Sequence, residues 1–194
     1  MLNHKGKRLC ITGIPASGKS YLAKKLAVDT GGIFVSFDDL REGLTHDFVY
    51  GKWVNFYYNI SDEREYYLET PPDVLWKDIV SQSEGLWPVF LEHIHSYVNE
   101  PRPVIFECVN LLPHLVVPDC GFPEIVLLGS SQKEILERNK KDPRWGKTTF
   151  LQEIEAKNFF LVERPRYKEE GELFGVFISD NFDDAYCFGL SVLK

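Results

Sequence analysis

Residues 11–20 read ITGIPASGKS, and the rest of the chain can be read outward from them. The stretch fits the spacing G-x-x-x-x-G-K-[ST] at Gly13, Gly18, Lys19 and Ser20. An apolar run, RLCITGI (8–14), precedes it and reads as a buried strand. KSYLAKKLAVDT follows, with Leu22, Ala23, Leu26 and Ala27 at helical spacing and Gly31-Gly32 as a stop. A strand, a glycine-rich turn and a helix form the context that a phosphate cradle requires. The glycines let backbone N–H groups turn inward around phosphate oxygens, and the helix N-terminus adds a favourable partial charge. Gly13, Ile14, Pro15, Ala16, Ser17 and Gly18, with Lys19, Ser20 and Tyr21, are therefore the candidate nucleotide-binding segment. Lys19 is suited to neutralising β- and γ-phosphates, and the Ser20 hydroxyl to ligating Mg2+.

The pattern continues as strands alternating with helices. IFVSF (33–37), PVIFECV (103–109), EIVLLG (124–129) and LFGVFIS (173–179) read as further strands. DDLREGL begins a second helix, Ser130-Ser131 are N-cap candidates for QKEILERNKK, and FDDAYCFGLSVL reads as a short closing helix. Continuous apolar strands separated by helices imply a mostly parallel sheet covered on both faces. In such sheets the loops at the carboxyl ends of the strands carry the site. Residues 46–101 break the rhythm and read as a helical insertion between strands two and three. They are rich in rings: Trp53, Phe56, Tyr57, Tyr58, Tyr66, Tyr67, Trp76 and Trp87. Most of these are expected in the core, with several available to a pocket wall.

Composition narrows the function. The 194 residues are 44% hydrophobic and 14% aromatic, enough for one sizeable core, so 1–194 reads as a single domain. The net charge of −7 argues against a broad nucleic-acid or anionic-membrane surface, since both need a positive face. The four cysteines form no CxxC pair and read as thiols of a reducing compartment. MLNHKGKRL has no apolar leader segment and no run approaches membrane-spanning length, so a cytoplasmic enzyme is expected. His93 and His95 are two apart on a predicted helix and make no metal pair.

With its strand-helix layout, the Gly13–Ser20 motif resembles the P-loop NTPases. The guanine-reading N-K-x-D of GTPases is missing. Instead SFDDLR (36–41) sets two carboxylates at the end of strand two, followed by an arginine. This resembles the small P-loop kinases of the nucleoside-monophosphate-kinase-like group. Locally it is most similar to polynucleotide 5′-hydroxyl kinases, which carry Asp-Asp-x-Arg there. The resemblance implies a three-layer α/β P-loop fold whose five-stranded parallel sheet has the order 2-3-1-4-5. It implies ATP and Mg2+ as cofactors, Asp38 as base and Arg41 as an acceptor-binding residue. Glu107, in VIFECVNLLP (104–113), takes the place of the Walker B acid, which in those relatives holds Mg2+ through water; the same stretch has a short likeness to 2-phosphoglycerate-kinase-like proteins. LERNKKDPRWGKT (136–148) corresponds to a lid over 139–150, with Arg138 and Arg144 as its arginines; Arg164 and Arg166 are further candidates. The acceptor expected first is a hydroxyl of a small metabolite, with residues 46–101 building its pocket. A polynucleotide 5′-hydroxyl comes second and a nucleoside monophosphate third. A nucleotide sensor acting through a partner is the reading from another class, and the sequence does not fix the oligomeric state. Asp180 and Asn181, in ISDN (178–181), are either base contacts or turn formers.

Overall fold

A computed structural model of the chain describes residues 6–57, 59–144 and 146–194. Tyr58 and Trp145, both singled out in the sequence, lie outside the described residues, as does the start of the N-terminal segment. Five strands form one sheet: β1 (Arg8–Thr12), β2 (Ile33–Ser36), β3 (Val104–Glu107), β4 (Glu124–Leu127) and β5 (Phe177–Ser179). Their order is β2-β3-β1-β4-β5, and every pairing is parallel. The expected order and the expected α/β class are both observed.

The helices follow from local chemistry. α1 (Lys19–Thr30) stops at Gly31, whose left-handed backbone (φ 64°) caps it. Ser36 caps α2 (Phe37–Gly43) through the Asp39 amide. Between β2 and β3 run α3 (Gly51–Val54), α4 (Glu63–Glu69) and the 25-residue α5 (Pro72–Ser96), so the interrupted rhythm is indeed helical. α6 (Pro113–Cys120) precedes β4, and α7 (Gln132–Lys141) begins at the Ser131 cap. α8 (Thr149–Asn158) passes through one π-helical stretch (Phe159–Glu163) into α9 (Arg164–Phe174). α10 (Phe182–Leu193) closes the chain, capped by Asn181.

The strands are shorter than their apolar runs. Leu173 and Phe174, read as the start of the fifth strand, end α9 instead, because Gly175 at φ 67° stops the helix and β5 begins only at Phe177. Alternate strand residues serve opposite layers. Leu9, Ile11, Ile105 and Ile125 pack with Leu22 and Leu26 of α1 and Ala185 of α10. Cys10, Val35, Val104 and Phe106 face the other way, onto Leu86, Phe90 and Ile94 of α5. Apolar side chains on both faces are what a parallel sheet with two helical layers needs. Arg8 fastens the far end of α5. Its guanidinium donates to the carbonyls of Lys7, Tyr97, Glu100 and Arg102 and is almost wholly buried. Among the described residues no helix is long and apolar enough to cross a membrane.

Gly85 shows how closely the segment between β2 and β3 is packed. A Cβ there would overlap the Trp53 indole, which joins α3 to α5. Alanine ordinarily gains ~1 kcal/mol over glycine inside a helix. Overpacking costs about 1–3 kcal/mol. Gly85→Ala is therefore expected to be neutral to destabilising, against the usual helical trend, as read from the urea unfolding midpoint. A clear gain in stability would show that α3 does not bear on α5 as described.

Candidate active site

The loop after β1 is shaped by two glycines with different tasks. Gly13 has φ 127°, and a Cβ on it would collide with the Leu127 backbone of β4, so the close approach of the two strands requires glycine. Gly18, at φ 102°, is the N-cap of α1 and supplies no side chain to the helix amides. By contrast α2, α4, α7, α8 and α10 are capped by Ser36, Asp62, Ser131, Thr148 and Asn181. α5, α6 and α9 carry proline in the first turn, which removes a donor. The α1 terminus is thus left with uncapped N–H groups at the mouth of the loop, a ready place for an anion. Ser17 Oγ, buried in the same loop, has no hydrogen-bond partner among the described residues.

Lys19 is 5% exposed, and its ammonium donates to the Ile14 carbonyl at 2.7 Å. Burial lowers its pKa, and the nearby Glu107 carboxylate works against that. Glu107 ends β3 and is 2% exposed; burial pushes its pKa up, while Lys19 and a hydrogen bond from Ser20 pull it down. Asp38, in the first turn of α2, pairs with Arg41 at 2.9 Å. Arg41 donates to Asn110 Oδ1 at 2.9 Å. Asn110 in turn donates to Gln82 Oε1 (3.1 Å) and Ser83 Oγ (2.9 Å) on α5. The carboxyl ends of β1, β2 and β3 therefore bring Lys19, Ser20, Asp38, Arg41 and Glu107 to one place.

That place is a cavity of about 470 Å³. Besides these five residues, Arg144 lines it, from the connection between α7 and α8. Further wall comes from Tyr57, Tyr66 and Tyr67 before α5 and from Glu155, Glu163 and Tyr167 after it. The other candidates lie elsewhere. Arg138 does not line the cavity; it donates to the carbonyls of Ser17 (2.7 Å) and Ala16 (3.3 Å) and pairs with Glu134. Tyr21 is exposed on α1, its ring 5.3 Å from that of Phe182. Arg164 pairs with Asp180 at 3.2 Å, and Arg166 with Asp73 and Glu169. Asn181 accepts from the Asp183 and Asp184 amides, the turn-forming alternative.

Sequence reading missed Asn110, Gln82, Glu155 and Glu163. Asn110 carried a faint signal, a polar residue just beyond an apolar strand. Glu155 and Glu163 are eight apart, but the π-helical stretch shifts the register between them, so helical periodicity could not assign them to one wall. Glu163 is 7% exposed, and its pKa is pushed up to about 8 by burial, with Lys19 pulling it down and Glu155 adding to the rise. Tyr167, fully buried, donates to the Val109 carbonyl at 2.7 Å.

The fold has counterparts among solved structures. No protein-family model matches the chain, and no curated protein does. Solved structures do. A shikimate kinase from Acinetobacter baumannii in complex with shikimate matches with a TM-score of 0.54 and 14% identity, over 97% of this chain and 91% of its own. A gluconokinase from Sinorhizobium meliloti 1021 gives 0.51 and 15%, over 98% and 93%. A deoxyadenosine kinase from M. mycoides with bound dATP gives 0.50 and 15%, over 95% and 97%. The fold is that of the small P-loop kinases of the nucleoside-monophosphate-kinase-like group.

Glu163 has a measurable consequence. A carboxyl whose pKa rises on folding holds its proton longer in the folded state, so its contribution to stability declines as pH rises. The decline starts near the unfolded pKa of about 4.5 and is complete above about 8. At its steepest it is worth ~1.4 kcal/mol per pH unit. Glu163→Gln should flatten the fall in unfolding free energy between pH 5 and about 8. Identical pH profiles for the two proteins would show that Glu163 is not held protonated.

Proposed function

We propose that this protein is an ATP-dependent kinase that transfers the γ-phosphoryl group to a hydroxyl of a small molecule. The observation that carries this reading is the convergence of Lys19, Ser20, Asp38, Arg41 and Glu107 on one cavity at the carboxyl ends of three adjacent strands. The uncapped N-terminus of α1, the buried Ser17 hydroxyl and the Lys19 ammonium suit a chain of phosphates. Mg2+ fits as well. It binds through one or two protein groups plus substrate phosphates, and Ser20 beside the buried Glu107 supplies such a pair. When bound, it would neutralise charge on the β- and γ-oxygens.

The transfer is a single displacement. The acceptor oxygen forms a bond to the γ-phosphorus, the bond from that phosphorus to the β,γ-bridging oxygen breaks, and ADP leaves. The hydroxyl proton goes to a carboxylate of Asp38, which stands at the end of β2 where the acceptor would lie. Arg41 holds Asp38 in register and offers N–H donors to an oxygen of the acceptor. Lys19 and Arg144 supply fixed positive charge to the moving phosphoryl group. Arg138, by gripping the loop carbonyls, would keep the loop in shape. The cavity is of a size for a small molecule. A net charge of −7 weighs against a polynucleotide.

The test is transfer from γ-labelled ATP with Mg2+ to pooled hydroxyl metabolites and to 5′-hydroxyl oligonucleotides. Label should enter the metabolite pool. Asp38→Asn should lower transfer by ~10²–10⁴-fold while ATP still binds. Lys19→Ala should weaken ATP binding itself, read by calorimetry. Transfer unaffected by Asp38→Asn would remove the base, and label appearing only as free phosphate, equally in both proteins, would favour a nucleotide sensor.

A further inference from the structure

Among the described residues, Glu163 has no hydrogen bond and no ion pair, although it is buried and on the cavity wall. The carboxylates around it are engaged. Glu155 accepts from Asn139 (2.7 Å) and from the Gly146 amide (3.0 Å), and Asp78 accepts from Tyr66 at 2.9 Å. Glu163 ends the π-helical stretch, and such stretches re-aim side chains at functional sites. Four phenols of the wall, Tyr57, Tyr66, Tyr67 and Tyr167, have pKa values raised by burial first and also by the charge of Glu163, so all lie within its field. The protein cation acting on Glu163 is Lys19, whose role in the proposed reaction is at the phosphates.

We propose that the acceptor carries a protonated amine as well as its reacting hydroxyl, and that Glu163 is the specificity-determining residue that binds this amine among the wall tyrosines. The inference rests on the reading of the cavity as an acceptor pocket and deepens it. A lone buried carboxylate is costly and stays protonated until it is paired. A neutral hydroxyl would give Glu163 a hydrogen bond but no counter-charge. An ammonium gives both, and the aromatic walls favour a cation rather than an anion. Because Glu163 holds its proton at neutral pH, pairing with an ammonium expels that proton to solvent. Burial and Glu155 oppose the resulting charge, and Lys19 and the ligand favour it.

The test is binding, without nucleotide, of three matched probes: 3-aminopropane-1,2-diol, glycerol and glycerate. Calorimetry in two buffers of different ionisation enthalpy reads affinity and proton release together. The amine is expected to bind about tenfold tighter than glycerol, the difference one charge-assisted hydrogen bond supplies. At pH 7 it should release close to one proton, whereas glycerol should release none. Glu163→Gln, isosteric with the protonated acid and so compatible with the fold, should abolish the preference, and Glu163→Asp should keep part of it. Equal or tighter binding of glycerol or glycerate, no detectable binding of the amine, or an amine preference that survives in Glu163→Gln would overturn the proposal. Since no nucleotide enters the assay, that failure is distinct from failure of the kinase reading, which the Lys19 and Asp38 variants address.

Discussion

The Lys19 ammonium is nearly out of water, and a charge in that position needs acceptors and counter-charge close by. The Ile14 carbonyl supplies the first and Glu107 the second. The first is local to the loop, and the second depends on the order of the sheet. β1 lies between β3 and β4, with Ile11 in register with Glu107 on one side and Thr12 with Val126 on the other. The loop leaving β1 can then pass over the end of β3, where the acid is, while Gly13 presses against the backbone of β4. A different strand order would leave the lysine buried without its partner, and a lone buried charge costs about 3–5 kcal/mol when its partner is lost. Topology and electrostatics are here one constraint.

A second constraint runs from α5 to the Asp38 carboxylate. Asn110 is fully buried, and its amide can be satisfied in only one orientation. Its Nδ2 faces two acceptors, Gln82 Oε1 and Ser83 Oγ, and its Oδ1 therefore faces the Arg41 guanidinium, which has only donors. Arg41 is paired in turn with Asp38. Gln82 also donates to the Trp53 carbonyl of α3, and Arg8 clamps the chain just beyond α5. The helices between β2 and β3 thus do more than wall the cavity. They fix, through four side chains, the position of a carboxylate on another element.

What the sequence made legible divides along a physical line. The strands, the cradle loop and the acids at the strand ends, Asp38 and Glu107, could be located because each depends on short-range pattern: apolar runs, glycine spacing, carboxylates after a strand; the order of the sheet and the place of Arg41 came from the resemblance to the small P-loop kinases, not from periodicity. The bounds of β5 could not be located in this way, since LF before Gly175 suits a helix end as well as a strand, and only packing decides. The far wall of the cavity was out of reach for a stronger reason. Tyr57, Tyr66, Glu155 and Glu163 come from segments far apart in the chain, and one π-helical stretch sets the facing of Glu163. The tyrosines were visible as a ring-rich stretch, but whether a ring lies in the core or on a cavity is a tertiary fact. Trp87 is in the core beside Phe90, and Tyr57 is on the cavity wall.

The two arginines after β4 show the same limit from the side of chemistry. Both were read as lid residues because guanidinium groups suit phosphate oxygens. Arg138 instead holds the carbonyls of Ala16 and Ser17. In a trans peptide the C=O and the following N–H point in opposite directions. Fixing the Ser17 carbonyl toward Arg138 therefore turns the Gly18 amide away from it. The arginine acts on the loop from behind, and the loop's donors are left to the opposite side. Arg144, in contrast, lies on the cavity wall and, among the described residues, has one long ion pair, with Asp142 at 3.9 Å. A sequence motif cannot separate these two uses, because the same fork that recognises a phosphate also recognises a pair of carbonyls. Which use is made depends on whether the side chain meets the loop from its carbonyl side or from the cavity.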